Sequence, residues 1–395
     1  MIRLDRWAIA GVLAALPVRL LLASATELSP DEAYYVAAAR TGYIPPDHPP
    51  LVVGLAWLGD MLPGLPLETR IRLLPVAVGA ATSWLLVLAV ARRGGAPEVQ
   101  RWSTLLAAWT LLPMAGGFVL TPDSPAMLAF AILLVLQTLR PSASARIGWF
   151  LAATVALCAK AVLVPVVLVS CVVPWRRDNP WRLPAVLSLL TAAVCLKPTL
   201  VFQFHHAFGT AAWSAPAVLA ALAAIIPGQI VLWSPAPWVD GIRARAALSP
   251  VEQAWVALLA GLVVVSAIVR GAPPEPNWLA PAAITLLISA TTRLGSARPA
   301  WRAAVVALGP ALTMVAASHA LRPWIPVPRS ADPTARLHGW SGSDPPLDAP
   351  GVGIYARGAM SCVHADDCDE IELYFKRIDA HPWKGMARCW KTRDN

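Results

Sequence analysis

The sequence predicts an all-α polytopic membrane protein of about eleven transmembrane helices, with juxtamembrane helices on its outer face and a small C-terminal extramembrane segment. Three observations carry that prediction. The 395-residue chain is 57% hydrophobic and only 14% charged, and its mean hydropathy is +0.58. Windows such as 7–24, 71–91, 102–120, 253–269 and 301–317 are long and apolar enough to cross a bilayer as helices. Strand-like alternation is missing, and lipid requires every backbone polar group to be satisfied internally, which leaves a helical bundle.

The first segment, RLDRWAIAGVLAALPVRLLLA, starts like a signal peptide but lacks a small-x-small cleavage site, so it reads as a retained anchor. Further crossings are expected near 71–91, 102–120, 124–139, 147–158, 161–174, 183–197, 217–235, 253–270, 278–291 and 301–319. The pair 147–158 and 161–174 is short. The two meet at Ala159–Lys160, where they either span separately or dip in and return.

The net charge of +9 and pI near 9.6 are compatible with nucleic-acid binding, but the placement of the charge argues against it. Arginines cluster in short loops between the apolar segments: Arg92/Arg93/Arg101, Arg140/Arg146, Arg176/Arg177/Arg182, Arg243/Arg245 and Arg293/Arg298/Arg302. With Arg3 and Arg6 this is a positive-inside pattern, predicting a cytoplasmic N-terminus and a C-terminus outside. The same topology collects Asp31, Glu32, Asp47, Asp123, His205, His206 and Glu275 on the outer side.

Residues 1–320 then form the membrane domain, with a chemistry-bearing outer loop over 25–70, and 321–395 form a small extracytoplasmic segment. Residues 332–395 hold ten of the 23 acidic residues and three of the five lysines. Cys158, Cys171 and Cys195 lie in apolar helices and read as small hydrophobes. Cys362, Cys368 and Cys389 lie in the tail, where one disulfide and one remaining thiol are expected, with the pairing open.

The outer motifs each admit a plain reading and a chemical one. Ser29 or Asp31 caps a short amphipathic helix, DEAYYVAAARTG, which Pro30 starts and Gly42 ends. Tyr34 and Tyr35 would then sit at the membrane interface. A cap needs one carboxylate, however, and Asp31 and Glu32 are two, at the mouth of an apolar bundle. In YIPPDHPPL, four prolines either make a simple connector or hold Asp47 and His48 rigidly for a metal or a phosphate. Asp123, in LTPDSP, either caps a helix or acts chemically. Lys160 interrupts the apolar run ALCAKAVLVP, so it must pair or snorkel, and a phosphate is a natural partner. His206 is an interface residue or a ligand, and Glu275 in EPNW is a loop carboxylate or part of an ordered site.

In order, SPDEAYYVAAARTGYIPPDHPPL, LTPDSP, AKAVLVPVVL, FQFHHAFG, GQIVLWSP, PPEPNW and DPTARLHGW together resemble the bacterial protein O-mannosyltransferase-like (PMT-type) glycosyltransferases. These belong to the GT-C membrane superfamily, which also includes the lipid A aminoarabinose transferases. The resemblance covers roughly 1–340; residues from about 341 onward follow no pattern of that family, and Ala161 stands where an aromatic residue is expected. It implies an inverting enzyme of the bacterial inner membrane that takes a sugar from a polyprenyl-phosphate donor. The acceptor would be a glycolipid such as lipid A, a polysaccharide or a protein. By motif, Asp31 resembles the acceptor-activating base and Asp123 the second acid, with Glu32 orienting. His48 and Lys160 match donor-phosphate positions, with Arg70 or Arg72 as further cations, and Tyr35 and Glu275 complete the pocket. Asp47 with His206 would hold a divalent metal ion in some relatives. Two alternatives belong to other classes: a transporter or flippase, and a non-catalytic polyprenyl-lipid-binding protein. Transporters place ionisable groups near the midplane and often carry inverted repeats, neither of which is read here.

Overall fold

The computed structural model describes residues 3–173, 180–196, 199–202, 214–271, 274–340 and 355–380, and among these the regular structure is all helical. Helix α1 (Arg6–Ala25) is followed by α2 (Pro30–Thr41), α3 (Pro50–Asp60), α4 (Leu67–Arg92), α5 (Pro97–Ala108), α6 (Leu111–Ala115) and α7 (Asp123–Leu136). Then come α8 (Ala143–Ala159), a 3-10 turn at Ala161–Leu163, α9 (Val164–Val172), α10 (Arg182–Cys195) and α11 (Ala215–Trp233). A π turn (Pro237–Gly241) leads to α12 (Pro250–Arg270), α13 (Ala280–Leu294) and α14 (Pro299–Leu321), and the tail adds α15 (Ala356–His364) and α16 (Asp369–Ala380).

Five of these, α1, α4, α11, α12 and α14, are long and apolar enough to cross a membrane. The remaining expected windows hold shorter helices, so eleven separate spans do not follow from the helix lengths. The window 102–120 is broken at Trp109–Thr110 into α5 and α6, and the helix does not resume after Ala115. A Cβ on Gly117 would lie 2.5 Å from Nε of Arg19, and one on Gly79 would lie 2.4 Å from the Cα of Gly117. The chain after α6 thus folds against α1 and α4 through bare backbone, where a continuous helix with side chains would not fit. Helix α3, expected as loop, starts with Pro50 in its first turn. At 11 residues it is only about 16 Å long, too short to span.

Helix α2 has the boundaries its sequence predicts. Ser29 caps it in a full capping box with Glu32, and Gly42 ends it at φ 69°. Its surroundings differ from the expectation. Tyr34 and Tyr35 are each 2% exposed, because α15 and α16 fold back over α2. Together with α3, Leu120 and Trp340 they form a second apolar core, apart from that of the main bundle. The two hydroxyls find their polar partners in the protein, so neither ring serves as an interfacial anchor. The tail carries a Cys362–Cys368 disulfide; Cys389 lies outside the described residues.

Beneath α2 lies a fully buried ion pair. Glu32 Oε1 accepts from Arg72 Nε (2.9 Å) and Leu120 N (2.9 Å), and Oε2 accepts from Arg72 Nη2 (2.7 Å) and Ser29 N (2.9 Å). Arg72 also donates to the carbonyls of Thr26 (2.8 Å) and Glu27 (2.6 Å) and to Thr26 Oγ1 (2.8 Å). Both side chains are at 0% exposure, so removing either strands a buried charge. Glu32→Leu and Arg72→Met should each lower unfolding stability by about 3–5 kcal/mol, while Glu32→Leu/Arg72→Met loses less than the sum. Thermal unfolding in detergent measures this, and additive losses would show that the two do not act as a pair.

Asp332 straps the segment after α14. Its Oδ1 accepts from Thr334 N and Oγ1, each at 2.8 Å, and its Oδ2 lies 3.4 Å from His319 Nε2 and 3.3 Å from His338 Nε2. Burial alone would raise the carboxyl, but the Thr334 hydrogen bonds and the histidines outweigh it and hold it below the usual range. A depressed folded-state value gives stability that is present above the unfolded pKa and lost as pH falls through the folded one. The difference in melting temperature between wild type and Asp332→Asn should therefore be full at pH 7 and shrink below about pH 4. A difference that persists unchanged at pH 3 would show that the carboxylate's charge is not what is lost.

Candidate functional site

The two adjacent carboxylates of α2 have different fates. Glu32, the third residue of the helix, turns inward and has all its acceptor sites occupied. Asp31, one residue earlier and about 100° around the helix, stays 28% exposed. Its Oδ2 is 2.9 Å from Arg336 Nη1, and its Oδ1 accepts from the Tyr355 hydroxyl. Burial pushes the Tyr355 hydroxyl well up, and the Asp31 charge adds to this, so the phenol stays protonated as a donor. The Asp31 charge likewise raises Arg336 against the opposing effect of burial.

The proline-clamped turn lies on the same side of α2. The Tyr34 hydroxyl donates to both oxygens of Asp47, at 2.9 and 3.0 Å. The Tyr35 hydroxyl lies 3.5 Å from His48 Nε2, with the rings edge-on at 5.1 Å between centroids. Burial raises the Tyr35 hydroxyl, and the charges of Asp31, Asp47 and Glu275 add to it.

A second cluster forms around Asp123 at the first residue of α7. Lys160 takes an extended backbone (φ −157°, ψ 125°) that ends α8, and its Nζ lies 2.7 Å from Asp123 Oδ1. Asn277 Nδ2 donates to Asp123 Oδ2 at 2.8 Å. Two residues before Asn277, Glu275 accepts from Trp278 Nε1 (3.3 Å) and lies within electrostatic reach of Tyr35 and Arg336. Asp123 and Ser124 also line a mainly apolar cavity inside the bundle, with Leu86, Met127, Trp233 and Ile284 among its walls.

The structure therefore brings together Asp31, Tyr35, Asp47, His48 and Glu275, and pairs Asp123 with Lys160. Arg72 is consumed by Glu32, and Arg70 binds Asp60 (2.6 Å) in a bracket with Arg40 (2.9 Å) that ties α3 to the tail. His205 and His206 lie outside the described residues. Among the described residues no three His, Cys, Asp or Glu side chains are grouped to hold a metal, and Asp47 is engaged by Tyr34. Arg336, Tyr355 and Asn277 are the residues that sequence reasoning missed. Arg336 and Asn277 sit inside quoted motifs, DPTARLHGW and PPEPNW, whereas Tyr355 carries no sequence signal of its own.

No protein-family model matches the chain, and no curated protein sequence matches it. Two solved structures share its fold: ArnT from Cupriavidus metallidurans in the apo state, and the same protein bound to undecaprenyl phosphate. Each aligns at a TM-score of 0.57 and 19% identity, covering 94% of this chain and 72% of its own. The chain thus has an ArnT-like helical fold.

Proposed function

We propose that the protein is a glycosyltransferase that moves a sugar from a polyprenyl-phosphate donor to an acceptor hydroxyl at the α2 end of the bundle, with inversion. The observation that carries this reading is the Asp123–Lys160–Asn277 cluster, in which Lys160 is a part-buried cation in an otherwise apolar stretch. A cation fixed among apolar helices suits a lipid whose head is a phosphate and whose tail is hydrocarbon. The ArnT-like fold supports it, since one of the two neighbours holds undecaprenyl phosphate. The nearer likeness to O-mannosyltransferase-like enzymes rests on the sequence motifs.

In this reading Asp31 takes the proton of the acceptor hydroxyl while its oxygen attacks the anomeric carbon. The bond from that carbon to the phosphate oxygen breaks, and polyprenyl phosphate leaves with the bonding pair. Lys160 and His48 meet the charge that develops there, and Asp123 keeps Lys160 in place until the donor arrives. Arg336 keeps the Asp31 carboxylate oriented, and Tyr355 yields its hydrogen bond to the acceptor. Tyr35 positions His48, and Glu275 completes the wall. Glu32, Arg72 and Arg70 act from below as supports. A divalent ion would draw on Asp47 with His206, and no step here runs through it. Glycolipid (lipid A included), polysaccharide and protein acceptors all fit this chemistry. The arginine distribution supports a bacterial inner-membrane protein with its N-terminus in the cytoplasm and its site and C-terminus outside.

Transfer of radiolabelled sugar from a polyprenyl-phosphate donor by purified protein tests the activity, and absence of transfer with every donor and acceptor class rejects it. Asp31→Asn should lower turnover by about 10²–10⁴-fold with the protein still folded, and near-normal turnover removes Asp31 as the base. Lys160→Met should cost about 10²–10³-fold in kcat, and a change confined to KM would assign Lys160 to ground-state binding instead.

A further inference from the structure

A second cavity lies at the other end of the bundle. Helix α13 has Asn277 just before its first turn and Arg293 in its last; its 15 residues put these ends about 22 Å apart. At the Arg293 end, the π turn after α11, the end of α13 and the start of α14 enclose a cavity of about 430 Å³. Arg243, Arg293 and Arg298 line it with Trp301, and the one carboxylate in its wall is Asp240.

Asp240 is 2% exposed and already committed. Its Oδ2 accepts from Trp301 Nε1 (2.9 Å), and its Oδ1 lies 3.4 Å from Arg293 Nε. It therefore fixes Trp301 and one edge of the Arg293 guanidinium, leaving Arg293 44% exposed at the cavity. The side chains of Arg243 and Arg298 have no hydrogen-bond or ion-pair partner among the described residues. Three arginines against one carboxylate leave an excess of two positive charges around a space that could hold a polar head. Pairing Arg243 and Arg298 with Glu or Asp would have been simple, as Arg93–Glu252 and Arg101–Asp5 show elsewhere.

The surroundings say what kind of anion fits. The cavity sits where two membrane-length helices, α11 and α14, come to their ends. Ile242 and Trp301 at its rim are 47% and 37% exposed, and Val231 on the last turn of α11 is 44% exposed. Exposed apolar surface below an arginine-lined cavity, with a tryptophan at the boundary, matches a lipid: acyl chains on the helices and a phosphate on the guanidinia. Guanidinium forks hold phosphate oxygens in pairs, and phosphate diesters at a bilayer surface are the abundant source.

We propose that this arginine-lined cavity binds the phosphate headgroup of an anionic phospholipid from the leaflet at that end. The site is separate from the candidate active site, and the proposal stands whatever reaction that site performs. The test is native mass spectrometry of the purified, delipidated protein with equimolar dioleoyl-phosphatidylglycerol and dioleoyl-phosphatidylcholine. The wild type should retain phosphatidylglycerol over phosphatidylcholine by about tenfold, from roughly two unneutralised arginines. Arg243→Gln/Arg298→Gln should bring that ratio near one with the melting temperature unchanged, since neither side chain has a partner to lose. Arg140→Gln/Arg146→Gln, at arginines outside the cavity, should leave the ratio as in wild type. The proposal falls if the cavity variant keeps the preference, or if the control variant loses it equally, which would be generic surface charge. It also falls if millimolar inorganic phosphate displaces the lipid, which would make the ligand a soluble anion.

Discussion

The buried pair of Glu32 and Arg72 is the constraint on which the α2 end of the molecule depends. Two charges removed from water remain ionised only if nearly every donor and acceptor finds a partner. Those partners come from the end of α1, the 26–27 link, the cap of α2, helix α4 and the backbone at Leu120. Satisfying one ion pair therefore sets the register of five chain segments at once. It also sets the direction of Asp31, because the helix that turns Glu32 down onto Arg72 turns its neighbour toward Arg336 and Tyr355.

Around that floor the candidate site is assembled from distant pieces. Asp31 and His48 come from the first fifth of the chain, Asp123 and Lys160 from the middle, Asn277 from the turn before α13, and Arg336 and Tyr355 from beyond the last long helix. Three of its carboxylates are held by a cation or a hydroxyl contributed by another segment: Asp31 by Arg336, Asp47 by Tyr34, Asp123 by Lys160. Repulsion among negative charges in a partly buried space is offset in this way. The tail that supplies Tyr355 also roofs α2 with the Phe375 and Tyr374 rings, and Arg40 and Asp60 tie it to α3.

Much of this was legible in the sequence. Hydropathy, arginine spacing and capping chemistry are local properties, so they determined an all-helical, membrane-length architecture and the start and end of α2 at Ser29 and Gly42. They also marked Asp31, Asp123, Lys160 and His48 as residues whose setting demands a partner. The tertiary structure alone decided who the partners are. Asp31 and Glu32 are indistinguishable side by side in the sequence, and packing against Arg72 separates a buried bracket from an exposed carboxylate. Tyr34 and Tyr35 read as interfacial aromatics until α15 and α16 cover them. The close fit of the chain after α6 depends on Arg19 and Gly79 approaching Gly117 from two other helices. Periodicity and capping act within a few residues of one segment. Ion pairing, cavity walls and burial are set by segments more than three hundred positions apart in places, and only the folded chain brings those into contact.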